Sequence, residues 1–190
     1  KRIEKIAQGA ALMTETEVTV KLNNGLYEQL VNRTGAAALQ KNLELLGPIR
    51  YTPEETGFGK SLQAALGFPQ TGMNANCNPL KETKPDPDGG SSDVGDVSWN
   101  VPEISLTVTT APARTPWHSW AVVACGGMSI GHKGMLHAAK ALALTMVDLF
   151  ENESLRKEIR AEFEQRKGDQ VYKAMIPDGP PPVPAVKAGN

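Results

Sequence analysis

Pro102-Glu103-Ile104-Ser105-Leu106-Thr107-Val108-Thr109 is the stretch on which the fold class of this chain turns. Ile104, Leu106 and Val108 fall on one side of an extended backbone, with Ser105 and Thr107 on the other. A period of two predicts a half-buried strand over 103–109. The same alternation recurs at 16–22, where Val18, Val20 and Leu22 oppose Thr19 and Lys21, and Asn23-Asn24-Gly25 ends the run with turn chemistry. Ala121-Val122-Val123-Ala124-Cys125 reads as a third short strand or as a buried turn.

Around these stretches the spacing is helical. Ile3, Ile6, Ala7 and Ala10 form a stripe over 2–13, and Ala37, Leu39, Leu43 and Leu46 form another over 34–46, stopped by Gly47 and Pro48. Thr52-Pro53-Glu54-Glu55 opens a third helix, which runs to about Leu66. Thr52 caps it, Pro53 suits the first turn and Glu55 completes a capping box. That box accounts for the Glu54-Glu55 pair without any metal. The segment from about Gly134 to Phe150 is apolar over much of its circumference and is expected to be well buried. A charged helix over 153–167 carries Leu155, Ile159 and Phe163 on one stripe. The order of elements predicts mixed α/β, but two strong strands are too few for this many amphipathic helices. Together with a start on Lys1 rather than Met, this leads us to expect a part of a larger domain.

Composition narrows the function. The chain has 190 residues, 40% of them hydrophobic, and a net charge of −1. Balanced charge argues against a nucleic-acid binder. No apolar run approaches the ~18–20 residues of a membrane span. Cys77 and Cys125 build no disulfide framework, which fits a reducing, cytoplasmic setting.

All three histidines, His118, His132 and His137, lie in one window, with Trp117 and Trp120 on either side of His118. Imidazole is the commonest metal ligand at neutral pH. Read without further context, His118 is a ligand or a packed loop residue. His132 is an anion-binding group or an exposed residue near a helix start, and His137 is a helix-face residue. Asp93 and Asp96 follow a Gly-Gly-Ser-Ser run; they are turn and cap residues or line a polar ligand site.

Several separated motifs then resemble one family. They are Gly90-Ser91-Ser92-Asp93-Val94-Gly95-Asp96-Val97-Ser98-Trp99, Pro116-Trp117-His118-Ser119-Trp120, Ser129-Ile130-Gly131-His132-Lys133-Gly134-Met135 and Ala138-Ala139-Lys140, in that order. They are similar to the C-terminal part of the di-zinc amidohydrolases and metallopeptidases that include aminoacylase and glutamate carboxypeptidase. The opening, Ile6-Ala7-Gln8-Gly9-Ala10-Ala11-Leu12-Met13-Thr14, fits the last helix of that family's lid domain.

The resemblance implies an α/β fold. Residues 1–31 would be the last helix and strand of an α+β lid that usually dimerises. Residues 32–176 would be the C-terminal half of a three-layer α/β/α catalytic domain, and 177–190 a Pro-rich tail. It implies metal-assisted cleavage of an amide bond in N-acyl amino acids, of the p-aminobenzoyl-glutamate kind, with two zinc ions, or manganese or cobalt in their place. Of the ligands, only the C-terminal histidine maps here, onto His118. Asp93 and Asp96 would order the loop beside the metals, and His132, which has no counterpart in the wider family, would bind a substrate carboxylate or cap a helix. The partners implied are the missing N-terminal half of the enzyme and a homo- or hetero-oligomeric mate, so the chain would be inactive alone. The alternative is a non-catalytic assembly or dimerisation module built on the same fold.

Overall fold

The computed structural model describes residues 1–80 and 92–180; Gly89, Gly90 and Ser91 of the glycine-serine run and the tail beyond 180 lie outside the described residues. Seven helices follow one another: α1 (Arg2–Met13), α2 (Arg33–Leu46), α3 (Pro53–Ala65), α4 (Val94–Ser98), α5 (Trp120–Gly126), α6 (Ser129–Glu151) and α7 (Glu153–Lys167).

The start of α2 shows how sequence sets geometry. The first four amides of a helix have no partner inside it. Here three of them find side-chain acceptors, and the helix's own ladder begins at Ala36. Glu162 of α7 accepts from Arg33 N (2.9 Å) and Thr34 N (2.7 Å), the Asn32 side chain accepts from Gly35 N (2.8 Å), and Asn32 O accepts from Ala36 N (3.0 Å). The Asn32 Nδ2 donates to Ile159 O at 2.8 Å, so one buried cap ties α2 to α7. Burial alone would push the Glu162 carboxyl up; the Thr34 and Arg33 amides, the Thr34 hydroxyl and Arg166 overcome this and hold it at about 2.

α2 and α6 meet through a polar seam, with Asn42 Nδ2 donating to Asp148 Oδ2 (2.7 Å) and Thr145 Oγ1 (3.1 Å). Leu39, Ala141, Ile159 and Phe163 are buried on these three helices. A second core gathers Leu62, Ala121, Cys125 and Ile130 where α3, α5 and the start of α6 converge. The predicted capping box is present: Glu55 N donates to Thr52 Oγ1 and Thr52 N to Glu55 Oε2.

The strands are where expectation and structure part. The described residues contain no strand, so the three-layer α/β/α arrangement is not seen; they are mostly helical. Over 103–109 the alternation is nevertheless kept: Ile104, Leu106 and Val108 are half-buried while Ser105 and Thr107 are exposed. A strand also needs a neighbour to bond, and the backbone of 103–108 has no hydrogen-bond partner among the described residues. The stretch 16–22 is neither helix nor strand and is exposed throughout. The run 121–125 is helical, not extended. Ala121 and Cys125, one turn apart, are buried, and Val123 between them is left outside.

Two further corrections concern α6. It begins at Ser129, a turn earlier than expected, and it is not buried all round. Its inner face carries Ile130, Gly134, Ala141 and Thr145, whereas Phe150 is 80% exposed, Met135 58% and Met146 56%. On α2, Ala37 faces solvent rather than the core.

Candidate functional site

His118 sits in the loop between the 103–109 segment and α5, with its side chain exposed. Its φ is 59°, and that of Arg114, four residues earlier, is 67°. Left-handed backbone costs a non-glycine residue roughly 1–2 kcal/mol, so the loop holds His118 in a conformation that local preference opposes. Such strain concentrates at functional sites. The loop is pinned by Thr115 Oγ1 donating to Pro112 O (2.8 Å) and Ser119 Oγ donating to Pro116 O (2.5 Å). Trp117 and Trp120 on either side are both largely exposed.

His132 lies in the first turn of α6 and is exposed. Its amide bonds Met128 O at 3.0 Å, and the N-cap position belongs to Met128, so His132 does not cap the helix. His137, one and a half turns on, is half-buried and lines an open cleft of about 700 Å³ with Gln40, Cys77, Arg114 and Trp117.

Asp93 takes the N-cap position of α4 but makes no side-chain cap bond. Asp96, inside α4, accepts the Tyr172 hydroxyl at 2.9 Å through Oδ1, while its buried Oδ2 has no hydrogen-bond partner among the described residues. The bond to Asp96, with burial, raises the Tyr172 pKa. Gly95 lets α4 lie directly on the chain at Tyr27; a Cβ there would stand 2.0 Å from Tyr27 O. Tyr27 in turn packs against Trp99 and Tyr172, with ring centroids 5.7 and 5.3 Å away. Asp96 thus belongs to the junction of 27–30, α4 and 172–175, whereas Asp93 is exposed at its margin.

A second charged arrangement was legible only in half. Glu55 does more than cap α3: its buried carboxylate accepts Lys133 Nζ of α6 at 2.6 Å, and Lys133 also reaches Arg50 O at 2.9 Å. The Lys133 bond, with help from Ser129 and Thr52, holds Glu55 at about 2. Tyr51 beside them bonds Thr109 O at 2.9 Å; burial, then the Glu55 charge, pushes its hydroxyl up to about 12. No spacing rule points from Glu55 to a residue so far along the chain.

The described residues hold no group of three or more His, Cys, Asp or Glu side chains arranged to grip a metal. Zinc takes three or four protein ligands, so these residues do not by themselves fit the di-zinc centre that the resemblance implies. Both cysteines are free, Cys125 buried and its thiol pKa raised by that burial. Among the described residues no helix is long and apolar enough to cross a membrane.

Comparison with known proteins places the chain beside part of a hydrolase. That relative is a p-aminobenzoyl-glutamate hydrolase subunit of Escherichia coli (strain K12), 34% identical over 208 aligned residues, which take in 96% of this chain and 43% of the relative. The chain is therefore similar, along nearly its whole length, to a C-terminal part of that protein, and spans less than half of it. No family model matches, and neither does any solved structure.

Proposed function

We propose that this chain is the C-terminal part of an amidohydrolase acting on p-aminobenzoyl-glutamate or a similar N-acyl amino acid. The observation that carries the reading is the 34% identity running through 96% of the chain. One feature of the structure supports it. His118 is presented on a strained, exposed loop between two tryptophans, as a residue that must reach outward is. In this reading His118 contributes one ligand to a metal centre whose other ligands come from outside the chain, and the chain alone is inactive. His132, exposed in the first turn of α6, lies where the helix dipole favours a carboxylate such as that of a substrate glutamyl group. Asp96 acts at a distance, by holding α4 to Tyr172, and Asp93 at the start of α4 orders the adjoining loop.

The test is a graft. This chain replaces the matching 43% of the Escherichia coli protein, and release of p-aminobenzoate and glutamate is followed in the assembled enzyme. The graft hydrolyses the substrate, and His118→Ala removes that activity and some bound metal without changing the melting temperature. The chain alone shows neither hydrolysis nor tight zinc binding. A folded graft without activity, or a His118→Ala graft with full activity and metal content, would overturn the reading.

A further inference from the structure

Gln63, near the end of α3, carries an uncharged amide into the interior, where the residue is only 1% exposed. Its Nε2 donates to Thr71 Oγ1 at 3.1 Å and to Ala113 O at 3.0 Å, while its Oε1 accepts from Gly72 N at 2.8 Å. A main-chain amide only donates and a carbonyl only accepts, so these partners fix which end of the side chain is which. Ala113 N donates in turn to Gly72 O at 3.4 Å, so Ala113 is held at both of its backbone groups. One turn earlier on α3, Gly59 lets the same segments lie close: a Cβ there would stand 3.2 Å from the Met73 sulfur and 3.2 Å from Pro112 Cγ.

These contacts bear on His118, because Ala113 is the root of the loop that carries it. Beyond the root, Thr115 folds back on Pro112 O through its amide (3.2 Å) and its hydroxyl (2.8 Å). Leu62, the neighbour of Gln63, packs with Ala121 and Cys125 of α5, where the loop ends. Consecutive residues of α3 thus hold the entry and the exit of the loop, and they hold them differently. Apolar packing is non-directional and tolerates a small slide. The bonds of one planar amide fix distance and direction. Between the two anchors lie Arg114 and His118, both with left-handed backbone. Such backbone persists only where its surroundings over-determine it.

We infer that Gln63 is a positioning residue for His118: by fixing Ala113 it keeps the loop in the left-handed backbone that presents the histidine outward. The inference rests on the functional reading above and deepens it by naming what aims the histidine. Gln63 touches neither substrate nor metal in this reading and acts only through the loop.

The experiment uses a near-isosteric change. Gln63→Glu keeps an acceptor for Gly72 N but, when ionised, sets a carboxylate oxygen against Ala113 O. When protonated, the same carboxyl donates to Ala113 O again. Burial and the facing carbonyl raise the pH at which it takes up that proton. In the chain itself at pH 8, the Ala113 and Thr115 amides should exchange about tenfold faster or more than in wild type. The Cα resonances of Arg114 and His118, which report backbone conformation, should be displaced. Both differences from wild type shrink toward pH 6, while amides of α7 stay unchanged and show that the fold is kept. In the graft into the Escherichia coli protein, kcat at pH 8 falls about tenfold or more with KM within about twofold. The ratio of variant to wild-type kcat recovers over the same pH range. Gln63→Met, which can make none of the three bonds, shows the loss without the recovery. Wild-type exchange and resonances at pH 8, a difference that ignores pH, or a loss borne by KM alone would each overturn the inference. A wild-type graft without activity removes the functional reading; displaced Arg114 and His118 resonances in the chain then keep Gln63 as the anchor of the loop, and undisplaced ones overturn that too. An active graft that loses turnover on His118→Ala but not on Gln63→Glu removes the inference alone.

Discussion

Replacing Glu162 tests the reasoning about how α2 and α7 are joined. Its carboxylate accepts two main-chain amides of α2 and the Nε of Arg166. Charge-assisted hydrogen bonds contribute roughly 1.5 kcal/mol or more each, and the Arg166 pair on the same helix adds only about 0.3–0.5 kcal/mol. The side chain is 15% exposed, which screens part of the effect. Glu162→Ala should therefore cost about 2–3 kcal/mol. Linkage gives a second route to that number. The carboxyl falls from the ordinary 4.5 to about 2, and at about 1.4 kcal/mol per pH unit this is ~3.5 kcal/mol as an upper bound. The sign follows from the direction. A depressed folded-state value stabilises fully above 4.5, and the contribution is lost as pH falls toward 2. Thermal melts of wild type, Glu162→Ala and Glu162→Gln should show a deficit of roughly 5–10 °C at pH 7 for the Ala variant. For both variants the gap to wild type should narrow between pH 5 and pH 3. A variant within about 0.5 kcal/mol of wild type at pH 7, or a gap that ignores pH, would refute the assignment of Glu162 as the acceptor for the α2 N-terminus.

Three other perturbations bear on the site and its supports. Gly95→Ala forces a Cβ onto Tyr27 O, which is main chain and cannot turn aside; a loss of about 2–3 kcal/mol in urea unfolding is expected, and a neutral result would mean that α4 does not lie on 27–28. Lys133→Met strands the buried Glu55 carboxylate, costing about 3 kcal/mol at pH 7. Glu55, no longer held at about 2 by Lys133, then titrates higher, so the variant loses less stability than wild type between pH 5 and pH 3; a steeper acid loss would contradict the pairing. His118→Gly relieves the left-handed strain at φ 59° and should leave stability within about 0.5 kcal/mol, since glycine's own entropy cost offsets the gain, while His118→Val should cost more than 1 kcal/mol. Equal melting of the two variants would show that the loop does not impose that backbone.

The helices were legible because their signals are local. Thr52, Pro53 and Glu55 mark the start of α3 within four residues, Asn152 accepts Leu155 N at the start of α7, and Gly47 ends α2. At 103–109 the alternation of side-chain burial was legible but the expected strand is not seen, because alternation belongs to one segment whereas a ladder requires a second. The Ala-Val-Val-Ala-Cys run misled for a related reason: a short apolar stretch has no period long enough to separate helix from strand. At the site, the sequence isolated His118 by its setting but had no means to foresee its left-handed backbone, which is imposed by a loop pinned at Pro112 and Pro116. Lys133 was missed as the mate of Glu55 because ion pairs between distant elements leave no trace in spacing.

The unpaired backbone of 103–108 also bears on how the chain behaves in concentrated solution. Ile104 to Thr110 is seven residues of alternating β-formers with neither a charge nor a proline, which is the sequence signature of segments that stack into cross-β fibres. In most proteins such a segment lies inside a sheet; here its edge is open among the described residues. Pro102 and Glu103 at one end and Pro112 at the other are the only breakers. Nucleated, concentration-dependent fibre growth is then the natural failure of this chain when it is kept alone, with Thr107, exposed at the middle of the segment, as the position where one lysine would suppress it.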